Sequence, residues 1–228
     1  MKLRLTLFFV CLSAFLFTIS GSALAEEKTT SGGALDISAV SAVLIEGSTG
    51  DIIYEKDKDK ELVPASITKI MTLTLIFEAL DNGKLTLETP VSVSEYAASM
   101  GGSQVFLEPN ETQTVDTMIK CISIASANDA AVAMAEKIAG SEEAFVKKMN
   151  EKAQEIGMKN TVFNNPSGLD QEKGNYSTAY DMAILTSYAM KNETYRKIVS
   201  TKSYKVKTNM NFYPISFCAG ILEISKTK

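Results

Sequence analysis

The chain has 228 residues, of which 45% are hydrophobic and 22% are charged, so it can form a sizeable core and is not an intrinsically disordered chain. It contains no histidine, which excludes Ser-His-Asp and Cys-His catalytic groups and the zinc sites that use histidine. The formal net charge of −4 argues against a nucleic-acid partner. The cysteines, at positions 11, 121 and 218, have no C-x-x-C spacing, which excludes an all-cysteine metal site and a disulfide-dense scaffold. The sequence implies no metal or organic cofactor.

The N-terminus has the pattern of a secretory signal peptide. Lys2 and Arg4 precede an apolar run that ends at Ile19, and Ala23-Leu24-Ala25 offers small residues at the cleavage positions. The apolar run of about 15 residues is shorter than the roughly 20 that span a bilayer. We therefore predict a signal peptide at 1–25, cleaved near Ala25, and a secreted protein. The polar segment 26–36 is a predicted linker.

The mature chain is predicted to begin with a β-hairpin and to continue as a mostly helical body. Two runs rich in β-branched residues, 40–46 and 51–55, flank a short turn. Periodic apolar residues predict a buried helix from Ser66 to Leu80, whereas the polar segment 92–110 is predicted to be largely loop. The remaining predicted elements are helices at 115–124, 130–138, 142–156 and from about 177 to 188, and a strand at 203–208. Asn128 or Asp129 is the expected N-cap of the helix that Gly140 ends.

Ser66-Ile67-Thr68-Lys69 offers a way to activate a serine without histidine. A lysine three residues after a serine lies on the same face of a helix, so the two side chains can meet. Burial lowers the pKa of a lysine, and a neutral amine can then accept the serine proton. The four-residue pattern is weak alone, and it recurs as Ser225 to Lys228.

A second polar group, Ser126-Ala127-Asn128, lies sixty residues further on, in a connection between two predicted helices. A hydroxyl and an amide on one loop can pass a proton to a leaving group and hold a substrate amide. Capping of the following helix by the same side chains explains the triplet equally well. The sequence leaves both interpretations open.

Together with their surroundings, these motifs resemble the D-alanyl-D-alanine carboxypeptidases, the low-molecular-mass penicillin-binding proteins. The resemblance runs from about residue 37 to Thr208, which we take as the catalytic domain. The segments that carry it are Pro64-Ala65-Ser66-Ile67-Thr68-Lys69-Ile70-Met71-Thr72, Gly102-Ser103-Gln104-Val105-Phe106-Leu107, Ser126-Ala127-Asn128-Asp129-Ala130-Ala131, Asn165-Pro166-Ser167-Gly168-Leu169 and Tyr176-Ser177-Thr178-Ala179-Tyr180-Asp181-Met182-Ala183.

The resemblance implies an α/β (α+β) fold of the penicillin-binding and β-lactamase-like transpeptidase type, with an antiparallel sheet and helices. It implies that Ser66 is the acylated nucleophile, Lys69 its general base, Ser126 a proton shuttle and Asn128 a substrate-binding group. The implied substrates are peptidoglycan stem peptides ending in D-Ala-D-Ala, and β-lactams are implied as covalent inhibitors. The implied location is the cell envelope, in cell-wall biogenesis and the control of cell shape.

The sequence departs from the family in its third signature, Lys-Thr-Gly, which is absent. Lys207-Thr208 is followed by Asn209, and Lys226-Thr227 by Lys228. In the family this segment supplies a cation for the substrate carboxylate and one oxyanion-hole donor, whose loss typically costs about 100- to 1,000-fold in rate. We therefore expect residues 209–228 to be a divergent tail and the domain to be truncated, with an incomplete sheet and no C-terminal membrane anchor. Asn175 is a smaller departure, at a position where relatives often have histidine.

Two alternatives remain beside the peptidase. If the absence of Lys-Thr-Gly abolishes activity, the chain is an inactive fragment or a non-catalytic binder of peptidoglycan or penicillin. A β-lactamase is the weaker alternative. That enzyme needs a carboxylate to activate its deacylating water, and no glutamate lies between Asn160 and Asp170.

Overall fold

A computed structural model describes residues 37–169, 174–209 and 212–216. The predicted signal peptide at 1–25, the linker at 26–36 and most of the tail at 209–228 lie outside the described residues. The described residues from Ala39 onward belong to one compact unit. They form helices and small antiparallel sheets, as the predicted fold class requires.

The strands are β1 (Ala42–Ile45), β2 (Ile52–Lys56), β3 (Pro90–Ser92), β4 (Thr112–Thr114), β5 (Ser203–Lys207) and β6 (Phe212–Ser216). The α-helices are α1 (Lys69–Asp81), α2 (Glu95–Ala98), α3 (Val115–Ala125), α4 (Asn128–Ala139), α5 (Glu142–Glu155), α6 (Ala179–Ala189) and α7 (Glu193–Val199). A 3₁₀ turn at Ala65–Thr68 leads directly into α1.

The hairpin of β1 and β2 confirms the prediction for residues 40–55. The strands pair antiparallel, with Val43 opposite Glu55. The carboxylate of Glu46 accepts hydrogen bonds from the Ser48 hydroxyl at 2.7 Å and from the backbone N–H of Thr49 at 2.6 Å. These hydrogen bonds hold the pKa of Glu46 at about 2, because they stabilise its charged form. The connecting turn is thus closed by its own side chains.

The other sheets are short. β3 pairs with β4, and β5 pairs with β6, both antiparallel. The sequence analysis missed β3, β4 and the one-turn helix α2, because elements of three or four residues are too short to show a period. It found β5 but not its partner β6, which lies inside the predicted divergent tail. The rest of the segment 92–110 is irregular, as predicted.

The core is built around α1, which packs against α3, α4, α5, α6 and α7. One apolar cluster joins Ile76 and Phe77 of α1 to α3 and α4. A second joins Met71 and Leu75 to α5 and to Leu185 of α6. Because both clusters include α1, this helix is apolar on nearly all of its faces, which is typical of a central buried helix.

Two helix boundaries differ from the predictions. The predicted first turn of α1 is a 3₁₀ turn, so the α-helix begins at Lys69 rather than at Ser66. The prediction of Asn128 or Asp129 as N-cap of α4 was wrong, because Ala127 holds that position and makes no side-chain cap. The sequence analysis also missed the seven-residue helix α7.

Cys121 lies fully buried in α3 as a free thiol. Burial raises its pKa to about 12. Cys218 lies outside the described residues. Within the ranges that the structure covers, the helices are too short or too polar to cross a bilayer.

A pair of leucine variants tests the assignment of the second cluster. Leu185 is 0% exposed and Leu44 is 51% exposed. Leu185→Ala should lower the free energy of unfolding by about 2 to 5 kcal/mol, because it leaves a cavity in the core. Leu44→Ala should change it by less than about 1 kcal/mol. Urea unfolding followed by circular dichroism measures both, and similar losses would contradict this packing.

Candidate active site

Ser66 lies in the 3₁₀ turn at the start of α1, with its side chain exposed. The preceding residue, Ala65, has a φ of 47°, a left-handed conformation that is strained for a residue with a Cβ. Gly168 packs against the same turn, and a Cβ added there would lie 1.8 Å from the Ala65 carbonyl oxygen. The segment around residue 168 thus packs directly on the strained turn that carries Ser66.

Lys69 is the buried neighbour of Ser66, only 3% exposed. Its Nζ lies 3.3 Å from Ser66 Oγ. It also donates hydrogen bonds to Asn128 Oδ1 at 2.7 Å and to the carbonyl oxygen of Ser167 at 2.6 Å. Burial lowers the pKa of the Lys69 amine to about 8, although the buried carboxylate of Asp129 acts in the opposite direction.

Asn128 opens α4 and faces Lys69. Besides accepting from Lys69, its side chain donates from Nδ2 to the carbonyl oxygen of Gly101 at 2.7 Å. Its backbone N–H donates to the Ser103 carbonyl oxygen at 2.7 Å. A Cβ added at Gly102 would lie 2.9 Å from Asn128 Nδ2, so this glycine lets the segment approach the amide. The side chain therefore joins Lys69 to the 101–103 segment, and the capping interpretation of Asn128 was wrong.

Ser126 ends α3 in a left-handed conformation, with a φ of 55°. It is half-buried and stands two residues before Asn128 in the tight connection between α3 and α4. Within the part of the chain that the structure describes, its hydroxyl makes no hydrogen bond, neither to Ser66 nor to Lys69. The structure thus places Lys69 in contact with both Ser66 and Asn128, whereas the Ser126 hydroxyl is hydrogen-bonded to none of the three.

Asp129 was singled out in the sequence only as a possible cap, yet it orders one side of the site. It is 0% exposed, and its carboxylate accepts the backbone N–H groups of Val105 at 3.2 Å and Leu107 at 3.1 Å. Between these two residues, Phe106 has a φ of 58°. Burial raises the pKa of Asp129, and the hydrogen bonds from Leu107, Ala130 and Val105 oppose that rise.

The turn at Ala65–Thr68 and the start of α4 form two walls of the site. The segment 164–169 forms the third wall, and the sequence analysis missed its role. The Ser167 carbonyl oxygen accepts from Lys69, and the Pro166 carbonyl oxygen accepts from Thr72 Oγ1 at 2.6 Å. These contacts use backbone atoms, which carry no side-chain signature in a sequence. The only available signal was Asn165-Pro166-Ser167-Gly168-Leu169, which contributed to the family resemblance without a chemical role.

Among the described residues, no cluster of carboxylate or cysteine side chains could hold a metal ion. The arrangement around Lys69 instead offers acid-base chemistry. A buried amine with a lowered pKa lies beside an exposed hydroxyl on a strained turn, which is an arrangement that activates a serine nucleophile.

Comparison with known proteins identifies the family of the chain. The family model described as D-alanyl-D-alanine carboxypeptidase matches residues 26–219. The chain is 52% identical over 212 residues to D-alanyl-D-alanine carboxypeptidase DacF of Bacillus subtilis (strain 168), covering 87% of this chain and 54% of that protein. It is 38% identical over 179 residues to D-alanyl-D-alanine carboxypeptidase DacC of Escherichia coli (strain K12), covering 76% of this chain and 44% of that protein.

Among solved structures, penicillin binding protein 6B from Escherichia coli superposes with a TM-score of 0.79 at 29% identity, covering 87% of this chain and 63% of that chain. The fold is therefore that of the penicillin-binding serine peptidases, as predicted. The chain belongs to the D-alanyl-D-alanine carboxypeptidase family, peptidase family S11.

The chain spans about half the length of the curated relatives it matches. The family match extends beyond both ends of the catalytic domain predicted at 37–208. It begins within the part predicted as linker and ends within the predicted tail. The bounds of the signal peptide, linker, domain and tail therefore stay predictions.

Two glycine variants separate backbone strain from close packing at the turn that carries Ser66. Gly168 and Gly157 have φ values of +75° and +88°, but only Gly168 has neighbours where a Cβ would stand. Gly157→Ala should cost about 1 to 3 kcal/mol of unfolding free energy through its left-handed backbone. Gly168→Ala should cost more, because it must also displace Ala65. Urea unfolding of both variants measures the difference, and equal losses would contradict the packing of residue 168 on the turn.

Proposed function

We propose that the chain is a serine-type D-Ala-D-Ala carboxypeptidase that removes the terminal D-alanine from peptidoglycan stem peptides. The observation that supports this most directly is the 3.3 Å contact between the buried Lys69 amine and Ser66 Oγ in a member of this family. The substrate comes from the family and from the names of the relatives. The proposal includes an extracytoplasmic location in the cell envelope and β-lactams as covalent inhibitors.

The hydrogen bonds of Lys69 suit it to take the proton from Ser66. Asn128 Oδ1 and the Ser167 carbonyl oxygen can only accept, so each takes one hydrogen of the amine. A neutral amine has two hydrogens and one lone pair. With both hydrogens engaged, the lone pair is left for the Ser66 hydroxyl. The surroundings thus favour the orientation that a general base requires.

In the proposed reaction, Ser66 Oγ attacks the carbonyl carbon of the penultimate D-alanine while its proton passes to Lys69 Nζ. The proton now on Lys69 passes through the Ser126 hydroxyl to the leaving nitrogen, the peptide C–N bond breaks, and the terminal D-alanine leaves as the free amine. Water hydrolyses the ester on Ser66, which restores the hydroxyl and releases the shortened peptide. A β-lactam would form the same kind of ester by opening of its ring.

Asn128 is the proposed substrate-binding residue. Its Nδ2 carries two hydrogens, of which the Gly101 carbonyl oxygen takes one, so one hydrogen is available to a substrate carbonyl. Its Oδ1 holds Lys69 at the same time. We propose that Asn128 fixes the base and the substrate together.

The β-lactamase alternative lacks support in the 164–169 segment. A β-lactamase needs a carboxylate that activates the deacylating water, and no residue of this segment is ionisable. The group that the segment presents to Lys69 is a backbone carbonyl oxygen, which does not act as a general base. This favours the peptidase, and the relatives of this chain are named D-alanyl-D-alanine carboxypeptidases.

Labelling with a fluorescent penicillin tests the nucleophile. The purified chain should form a covalent adduct that survives a denaturing gel, and Ser66→Ala should reduce the rate at least about 1,000-fold. Ser99→Ala, at an exposed serine outside the site, is the matched control and should label normally. Release of D-alanine from a tripeptide ending in D-Ala-D-Ala then tests the substrate. Folded protein that shows neither reaction would overturn the proposal and favour the inactive fragment or non-catalytic binder.

The pH dependence of acylation should follow the titration of Lys69. Since only the neutral amine accepts a proton, and its pKa is lowered from 10.5 to about 8, the rate should rise with pH and level off above about pH 9. Penicillin labelling rates from about pH 6 to about pH 10 would measure this midpoint, with circular dichroism as a check on folding. A rate that still rises steeply at about pH 10, without levelling off, would show that Lys69 is not the buried base.

A further inference from the structure

Asn175 is a buried amide at the third wall of the site, 3% exposed and with hydrogen bonds on both of its polar atoms. Its Oδ1 accepts the backbone N–H groups of Asn164 at 2.7 Å and Asn165 at 3.1 Å. Its Nδ2 donates to the Asn165 carbonyl oxygen at 3.1 Å and to Thr68 Oγ1 at 2.9 Å. One side chain therefore links two parts of the chain that are more than a hundred residues apart.

One of these parts carries Ser66 and leads into Lys69, and the other supplies the carbonyl oxygen that Lys69 contacts. Thr68 directly precedes Lys69 and belongs to the turn that carries Ser66. Asn165, the other partner, organises the segment that follows it. Its Oδ1 accepts the N–H of Ser167 at 3.2 Å and of Gly168 at 2.7 Å. The Ser167 carbonyl oxygen then meets Lys69 at 2.6 Å.

We infer that Asn175 is a positioning residue, which holds the Ser167 carbonyl oxygen against Lys69 and ties it to the turn that carries Ser66. This inference rests on the proposed function for its catalytic meaning. Asn175 touches neither Ser66 nor Lys69 by hydrogen bond, so it acts through Thr68 and Asn165. Without Asn175, these hydrogen bonds no longer link the segment that carries the Ser167 carbonyl oxygen to the turn.

An amide suits this position for a physical reason. The site needs donors toward Thr68 and the Asn165 carbonyl oxygen and an acceptor toward two backbone N–H groups, and asparagine supplies both without charge. The charged group that does face Lys69 is Asp129, at the start of α4, and it raises the pKa of the amine. The nearby groups on α4, on the turn and on the 164–169 segment are otherwise neutral: Asn128, Ser66 and Ser167. A carboxylate in place of Asn175 would add a second negative charge.

The first test compares acylation rates. Asn175→Leu removes the hydrogen bonds and keeps the number and branching of the side-chain heavy atoms. It should lower the penicillin acylation rate constant by at least about tenfold, because small displacements of a base are costly. The fraction of chains that can be labelled at long times should not change. Asn160→Leu is the matched control, because Asn160 is an exposed asparagine outside the 164–169 segment. An unchanged rate in Asn175→Leu would overturn the inference.

A double-mutant cycle tests the route through the turn. Thr68→Val removes the acceptor of Asn175 Nδ2 with little change in volume. If Asn175 acts through Thr68, the double variant should lose less than the product of the two single fold-changes. If the fold-changes of the two single variants multiply fully in the double variant, Asn175 supports the fold but does not act through Thr68.

A third measurement does not depend on catalysis. Competitive labelling of amines at several pH values, read by mass spectrometry, gives the pKa of Lys69 directly. Asn175→Leu should raise this pKa from about 8 toward 10.5, because burial is the main cause of its lowered value and the loosened wall admits water. Asn160→Leu, the exposed control, should leave it unchanged. If the unsubstituted chain is never acylated, the proposed function fails, whereas an unchanged pKa in Asn175→Leu contradicts the positioning role itself.

Discussion

The structure depends on the burial of one amine. Lys69 sits at the start of the central helix, where water is excluded, and an isolated ammonium there would be unfavourable. Two oxygen acceptors and a nearby carboxylate make this burial tolerable without returning the pKa of the amine to its ordinary value. Each acceptor comes from a different wall of the site. The chemistry available to Ser66 therefore depends on whether these walls stay in place.

The rest of the fold supplies this restraint in separate layers. The apolar clusters on either side of α1 fix the helix, and therefore fix Lys69. Asp129 holds the 105–107 segment by its backbone N–H groups, and Asn165 with Asn175 does the same for the 164–168 segment. Both segments lack regular secondary structure. Side chains that hydrogen-bond to backbone replace the order that a helix or a strand would provide.

The sequence predicted the long periodic elements and the contact between Ser66 and Lys69, but not the walls of the site. Helices α3, α4 and α5 follow from apolar periodicity. The contact follows from the spacing of the two residues, whereas their proposed roles come from the family resemblance. The Ser167 carbonyl oxygen could not be predicted, because any residue has one and its direction depends on tertiary structure. The error at Asn128 has a related cause. A short polar residue at the start of a helix is often a cap. Here the side chain of Asn128 accepts a hydrogen bond from the buried Lys69 instead.

The contacts of Lys69 also have a consequence for folding kinetics. Its two acceptors lie 59 and 98 residues away along the chain. Closing loops of this length costs entropy before any contact can repay it, so the site cannot form from local structure alone. A collapsed intermediate could hold every helix and still leave Lys69 in water, with an ordinary pKa. The protonation of this one amine therefore distinguishes the native chain from a compact, non-native one, which far-ultraviolet circular dichroism would not separate.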